Sequence, residues 1–355
     1  MKARLRIRPE LSTLRSYEAP EGGRSGKLRL DLNENTFGCS ETVQRALARL
    51  SAKQIAMYPE YGGTAGRLAR FFHVRPEELI LTNGADDALR VFFDAFVERG
   101  SDVLFCEPTF PMYRYYAELF GARIDPLHYS ANIEFPLNEI LRSLKRNPRL
   151  AIFANPNNPT GDLLSAATLK RIVSASPETA IVIDEAYAEF SGATVVPWLR
   201  RYRNLFVVRT FSKAAGLAGL RLGCILGNAD AAEVLRRAMP PFGVNVAALV
   251  AADAATRDQR TIRKYVREIS ELRERFAAQL REREIRVFPS AGNFVLADFG
   301  SSGPTLFRDL ARQGILIRPR TEDIGPGFAR ISIGTRAEMA RLLREIDRNL
   351  GGNRG

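Results

Sequence analysis

A chain of 355 residues with 45% apolar content is too long for a single compact core and rich enough in hydrophobic side chains to build two without covalent staples. Its formal charge of +12 comes from basic residues spread along the chain, mostly Arg, with no long block and no aromatic-interleaved basic stripe; this argues against a nucleic-acid partner and favours an anionic small molecule or plain compositional bias. The three cysteines, Cys39, Cys106 and Cys224, and the two isolated histidines, His73 and His128, have neither disulfide nor metal-ligand spacing, so reduced thiols and no metal site are expected.

The N-terminal residues are basic, but no apolar stretch follows them and no run anywhere is long enough to span a bilayer, so a soluble cytoplasmic protein without a membrane partner is expected. An irregular arm rich in Gly, Arg and Pro ends at Leu30-Asp31-Leu32-Asn33-Glu34-Asn35. From there short apolar strands alternate with amphipathic helices, the pattern of a mostly parallel sheet covered on both faces. The first strand, Leu79-Leu81, runs through Asn83-Gly84-Ala85-Asp86-Asp87 into a helix over 86–97. A glycine followed by free helical N–H groups is a ready anion cradle, although Asp86 serves equally well as a simple N-terminal helix charge. It is not a dinucleotide fingerprint, because the second and third glycines of that motif are absent.

The strand Val103-Cys106 leads to Pro108-Thr109-Phe110-Pro111, where the Phe110 ring either stacks on a planar ligand or packs in the core. After Leu150-Ala154 comes Asn155-Pro156-Asn157-Asn158-Pro159-Thr160-Gly161, a turn locked by its prolines and glycine at the carboxyl end of a strand, where open α/β sheets bind ligands. A helix over 166–173 precedes the strand Ala180-Ile183, which Asp184 closes. A carboxylate at that edge has little water around it and calls for a cation, a pyridinium nitrogen or an Arg, unless it caps a loop; Tyr187, a helical turn further on, offers a phenol or packs as a half-buried core tyrosine.

The run Thr210-Phe211-Ser212-Lys213-Ala214-Ala215-Gly216, continuing to Arg221, follows the buried strand Leu205-Val208 and is the most informative stretch. It holds a lysine amine in a Gly/Ala-rich turn beside a hydroxyl, with a guanidinium downstream. A pyridoxal phosphate enzyme needs this equipment: an amine to condense with the cofactor aldehyde, donors to grip its phosphate, and in Asp184 a carboxylate that keeps the pyridine nitrogen protonated. A last strand, Leu222-Leu226, closes this part of the chain.

Beyond about residue 246 one long charged helix over 246–284 is expected to feed a small mixed sheet made of Ile285-Phe288, Phe294-Ala297, Ile315-Ile317 and Ala329-Ile333. Helices follow near 305–313 and from Arg336 on. This reads as a second domain, with the ligand site in the cleft between the two. Arg318 and Arg330 flank its strands, and their planar forks suit the carboxylate or phosphate of an anionic substrate; for Arg318 the alternative is an ion pair with Glu322 or Asp323.

These motifs, in this order and over nearly the whole chain, resemble the aspartate aminotransferase superfamily of fold type I pyridoxal phosphate enzymes, and within it the histidinol-phosphate aminotransferases. Met57-Tyr58-Pro59, Pro289-Ser290-Ala291-Gly292-Asn293-Phe294, Gly314-Ile315-Leu316-Ile317-Arg318-Pro319 and Arg330-Ile331-Ser332-Ile333-Gly334-Thr335 extend the likeness. The resemblance implies an α/β fold whose large domain, 36–245, has a mostly parallel seven-stranded sheet sandwiched by helices. A smaller α+β domain would span 246–355, with the arm 1–35 packing against it.

The same likeness implies that Lys213 is the cofactor lysine and proton shuttle, that Asp184 pairs with the pyridine nitrogen, and that Asn158 and Tyr187 touch the ring hydroxyl. Phe110 would lie on the ring, with Gly84, Ala85, Asp86, Ser212 and Arg221 around the phosphate. Tyr58 is expected to reach the cofactor of a partner subunit, which implies a homodimer. Asn33, Tyr17, Arg318 and Arg330 fall at substrate-binding positions, Arg330 on the carboxylate and both arginines on the phosphate of histidinol phosphate. The implied reaction moves an amino group between L-histidinol phosphate and 2-oxoglutarate, yielding glutamate, in a ping-pong cycle of histidine biosynthesis.

Phe110 stands where tyrosine is more usual, Thr36 follows Asn35 in place of proline, and Gly243 precedes Val244 in place of asparagine. Related enzymes with the same motifs act on aromatic amino acids or decarboxylate phosphothreonine. A non-catalytic small-anion sensor is the remaining alternative, and the joint presence of Lys213, Asp184 and Arg330 argues against it.

Overall fold

The computed structural model describes residues 6–14 and 23–351; Tyr17, expected at the substrate, lies outside the described residues. Among these, a seven-stranded sheet has the spatial order Leu79–Thr82, Gly223–Gly227, Leu205–Thr210, Ala180–Asp184, Leu150–Ala154, Asp102–Glu107, Arg123–His128. Gly223–Gly227 runs antiparallel to both its neighbours, and the pairings from Leu205–Thr210 to Arg123–His128 are parallel. The fold is the expected α/β type.

Alternation along the central strands explains how the sheet carries helices on both faces. Ile181, Ile183, Leu205 and Val207 enter one core with Leu68, Ile172 and Ala252, while Ala180, Val182, Phe206 and Val208 enter the other with Leu89, Phe93 and Leu235. Strands buried on both sides read as continuous apolar runs, which is why they were legible. The edge strand Arg123–His128 was not anticipated, because it carries charges and Pro126; an edge tolerates a residue that cannot donate to the ladder.

The single long helix expected over 246–284 is two helices, Val246–Arg257 and Gln259–Arg281. Asp258, at φ −100° and ψ 46°, breaks the run, and its carboxylate caps the second helix by accepting from the Thr261 amide at 3.4 Å and hydroxyl at 2.9 Å. The break separates two packing environments. Ala248, Leu249 and Ala252 belong to a core of the large sheet, whereas Tyr265, Ile269, Leu272 and Phe276 belong to a further core around the antiparallel sheet of the C-terminal part. The change of core therefore falls near Asp258 rather than at the expected residue 246.

That sheet has the order Arg318–Pro319, Phe328–Ser332, Phe294–Asp298, Arg286–Val287. The arm divides its contacts. Leu28–Arg29 pairs in parallel with Ile315–Leu316, and Leu28 and Leu30 enter the C-terminal core. The turn Pro9–Ser12 instead lies on the large domain, where Arg8 donates to the Leu119 carbonyl at 2.7 Å and Glu10 pairs with Arg99. The expectation that the whole arm packs with the small domain is thus corrected for residues 8–14. None of the helices among the described residues is long and apolar enough to cross a membrane.

Candidate active site

Asp184, Asn158 and Lys213 lie at or just beyond the carboxyl ends of parallel strands, where an open α/β sheet places ligand-binding residues. Asp184 ends its strand buried, with one oxygen accepting from the Tyr113 hydroxyl at 2.8 Å and the other from the Ala186 amide at 3.1 Å. Burial outweighs these two bonds and pushes its pKa up to about 6. Burial and the neighbouring Asp184 in turn hold the Tyr113 phenol well above its ordinary value. Sequence reasoning missed Tyr113, whose pairing with a residue 71 positions away leaves no local signal.

Lys213 follows the strand Leu205–Thr210 and lies half-buried, its Nζ donating to the Leu32 carbonyl at 2.9 Å and standing 5.9 Å from the Tyr187 ring centroid. Burial, followed by the nearby positive charge of Arg330, brings its pKa down to about 8. The Tyr187 hydroxyl accepts from the Asn33 amide at 2.9 Å. Asn33 is itself fastened to Ser332, whose hydroxyl accepts from its backbone N–H and donates to its side chain.

Gly84, at φ 85°, opens the helix Gly84–Phe96, and the N-cap Asn83 supplies no side-chain cap, so its side chain leaves the first-turn amides to an anion. Strand Gly223–Gly227 packs tightly on this turn: a Cβ at Gly223 would fall 2.6 Å from the Gly84 carbonyl carbon and 2.8 Å from the Ala85 nitrogen. Arg221 arrives in a left-handed conformation and pairs with Asp86 at 2.7 Å, both side chains open to solvent. Ser212 is buried, accepting from the Thr210 hydroxyl at 3.0 Å.

Arg330 is 6% exposed, donates to Asn158 Oδ1 at 2.6 Å and to the Asp31 carbonyl, and lies 5.8 Å from the Phe294 ring centroid. Arg318 stands directly opposite it in the antiparallel register, which puts both on the same face. The alternative ion pair for Arg318 is not with Asp323, which Arg320 takes; that buried arginine was not anticipated. Phe110 is half-buried, edge-on to Tyr113 at 5.8 Å. Tyr58 is 78% exposed and stacks on Phe242 at 4.5 Å, on the surface with Ile55 and Met57 rather than beside Lys213.

These residues fit pyridoxal phosphate on structural grounds. A buried carboxylate with its pKa raised by desolvation is answered by a protonated pyridine nitrogen; a helix N-terminus with Arg221 and Ser212 suits a phosphate; and a lysine brought down to about 8 is an amine ready to condense. Fold and cleft together define a fold type I pyridoxal phosphate enzyme.

A family model described as aminotransferase class I and II matches residues 25–346. Histidinol-phosphate aminotransferase 1 of Carboxydothermus hydrogenoformans is 31% identical, covering 91% of this chain and 93% of that one, and the histidinol-phosphate aminotransferase of Bacillus cytotoxicus is 34% identical over 91% and 89%. The crystal structure of histidinol-phosphate aminotransferase from Sinorhizobium meliloti in complex with pyridoxal 5'-phosphate matches with a TM-score of 0.91 at 28% identity, covering 99% of both chains. The chain belongs to the class I and II aminotransferases, in the family of the histidinol-phosphate aminotransferases.

Proposed function

We propose that this aminotransferase exchanges an amino group between L-histidinol phosphate and 2-oxoglutarate. The observation that carries the substrate is the pair Arg318 and Arg330, opposite one another on one face of the C-terminal sheet. Two guanidinium forks give an anionic substrate bidentate partners, and the relatives' names supply its identity.

The cofactor, when bound, supplies an electron sink for negative charge at the substrate α-carbon. Asp184 would hold the proton on the ring nitrogen, and Tyr113, donating to that carboxylate at 2.8 Å, would orient it. The first-turn amides from Gly84, Ala85 and Asp86, with Ser212 and Arg221, take the phosphate. Asn158 and Tyr187 would hold the ring hydroxyl, and Phe110 would cover the ring. Lys213 Nζ, with a pKa of about 8, is neutral often enough near neutral pH to take the proton from the substrate α-carbon. Asn33 keeps Tyr187 in place, and Arg330 binds the carboxylate of the amino acceptor.

The exposed patch of Ile55, Met57, Tyr58 and Phe242 is the surface a second copy covers in a homodimer, with Tyr58 reaching the partner's cofactor phosphate. The enzyme works in the cytoplasm. Arg318→Ala is expected to weaken histidinol phosphate by about 2 kcal/mol or more while disturbing 2-oxoglutarate less, and Arg330→Ala to damage both half-reactions. Steady-state kinetics on each half-reaction separates the two, and equal small effects would overturn the assignment.

A further inference from the structure

Asn33 joins the arm, the C-terminal sheet and the large domain at one buried point, and its polar atoms are all engaged. Its N–H donates to Ser332 Oγ at 2.8 Å, and its carbonyl accepts from Asn293 Nδ2 at 3.1 Å. In the side chain, Oδ1 accepts from the Ser332 hydroxyl at 2.9 Å, and Nδ2 donates to the Tyr187 hydroxyl oxygen at 2.9 Å. Asn33 and Ser332 are fully buried and Tyr187 nearly so. Asn33 sits at φ 54°, a left-handed conformation that asparagine tolerates better than most residues. Ser332 ends the strand Phe328–Ser332, and its own N–H is fixed on the Leu30 carbonyl at 2.9 Å.

The directions of these bonds follow from the one group that has no choice. A backbone N–H can only donate, so Ser332 Oγ accepts from Asn33 and has a single proton to give. Oδ1 of the same asparagine receives it. That turns the amide nitrogen toward Tyr187, and because an amide nitrogen can only donate, the phenol oxygen is its acceptor. Turned over, the amide would take the Oδ1 acceptor away from the buried Ser332 proton and set Oδ1 against the phenol O–H.

We propose that Ser332 is a positioning residue for the cofactor ring: it holds the Asn33 amide in the orientation that gives Tyr187 a donor and keeps Asn33 from taking the phenol proton. Without the Ser332 hydroxyl, Oδ1 is a buried acceptor that has lost its donor, which is unfavourable and is relieved when the amide turns over and Oδ1 accepts from Tyr187. Tyr187 then donates to Asn33 instead of to the ring hydroxyl. The inference rests on the reading of Tyr187 as the partner of that hydroxyl.

The test is a pH titration of the cofactor-loaded protein read by absorbance, with the affinity of the cofactor-free protein for the cofactor measured alongside. A hydrogen bond from Tyr187 draws negative charge from the ring oxygen and so weakens the hold on the proton whose loss changes the absorption band. Ser332→Ala is expected to raise the midpoint by about half a pH unit or more and to weaken cofactor binding about threefold or more, while Ser332→Thr, which keeps the hydroxyl, moves the midpoint by less than about 0.2. In the Tyr187→Phe background the same Ser332→Ala change should leave the midpoint where it is, because no phenol proton remains to be redirected. A merely structural serine predicts an equal shift in both backgrounds, and that result overturns the proposal, as does an unmoved midpoint in Ser332→Ala. If Ser332→Ala does not fold, Ser332→Cys, of similar shape but a weak donor, is judged by the same comparison. Tyr187→Phe alone checks the underlying reading, which fails, and the proposal with it, if that variant titrates like the unmodified protein.

Discussion

Lys213 owes its chemistry to two neighbours of different kinds, an apolar surround that disfavours the ammonium and an arginine that repels it. In cofactor-free protein the rate of its modification by an amine-reactive reagent should rise with pH through a midpoint near 8, and the midpoint should move up in Arg330→Ala. A midpoint near the ordinary 10.5 would contradict the site geometry. Borohydride treatment of the loaded protein should attach the cofactor to Lys213, and peptide mapping that finds it on Lys170 or Lys264 would remove the assignment. Asp184 illustrates the cost of such a site. Its pKa is raised to about 6, so the folded protein binds the proton more tightly than the unfolded chain; the carboxylate's destabilisation is full above pH 6 and fades as pH falls toward 4. Cofactor-free Asp184→Asn should therefore be more stable than the unmodified protein by about 2–3 kcal/mol at pH 7, with the difference shrinking below pH 6, while turnover falls at least about 100-fold. Equal stability at pH 7, measured by urea unfolding, would show that the carboxylate is not desolvated.

At the scale of elements, the apolar strands were readable because burial on both faces leaves no alternation to misread, and their carboxyl ends and the loops beyond carried Asp184, Asn158 and Lys213 in plain sight. Other elements were not. Arg123–His128 lacks the apolar signature because it is an edge. The break at Asp258 was hidden because helical periodicity resumes immediately after it, and only the capping of Thr261 by the Asp258 carboxylate distinguishes a new helix from a continued one. Asp258→Ala should cost about 1 kcal/mol in urea unfolding, and Asp258→Asn much less. A neutral Asp258→Ala would mean that the helix start is held by packing alone.

For the molecule as a whole, the sequence motifs named candidate site residues but not the contacts that join them. Asn158 to Arg330 and Leu32 to Lys213 link positions far apart in the chain, and such pairs have no local pattern to read. Tyr58 shows the complementary limit: the role proposed for it belongs to an assembly, and in a single chain it is a surface ring stacked on Phe242. Sedimentation should find a dimer at micromolar concentration, and Phe242→Asp should shift it toward monomer and cut turnover together; a fully active monomer would refute the shared site. The substrate is tested most directly by kcat/KM of the unmodified enzyme for histidinol phosphate, phenylalanine, tyrosine and phosphothreonine, each with 2-oxoglutarate as acceptor. Histidinol phosphate should be preferred over the others by at least about tenfold, as two guanidinium partners for one anionic substrate require, and a higher value for phenylalanine, or carbon dioxide release from phosphothreonine, would contradict the account.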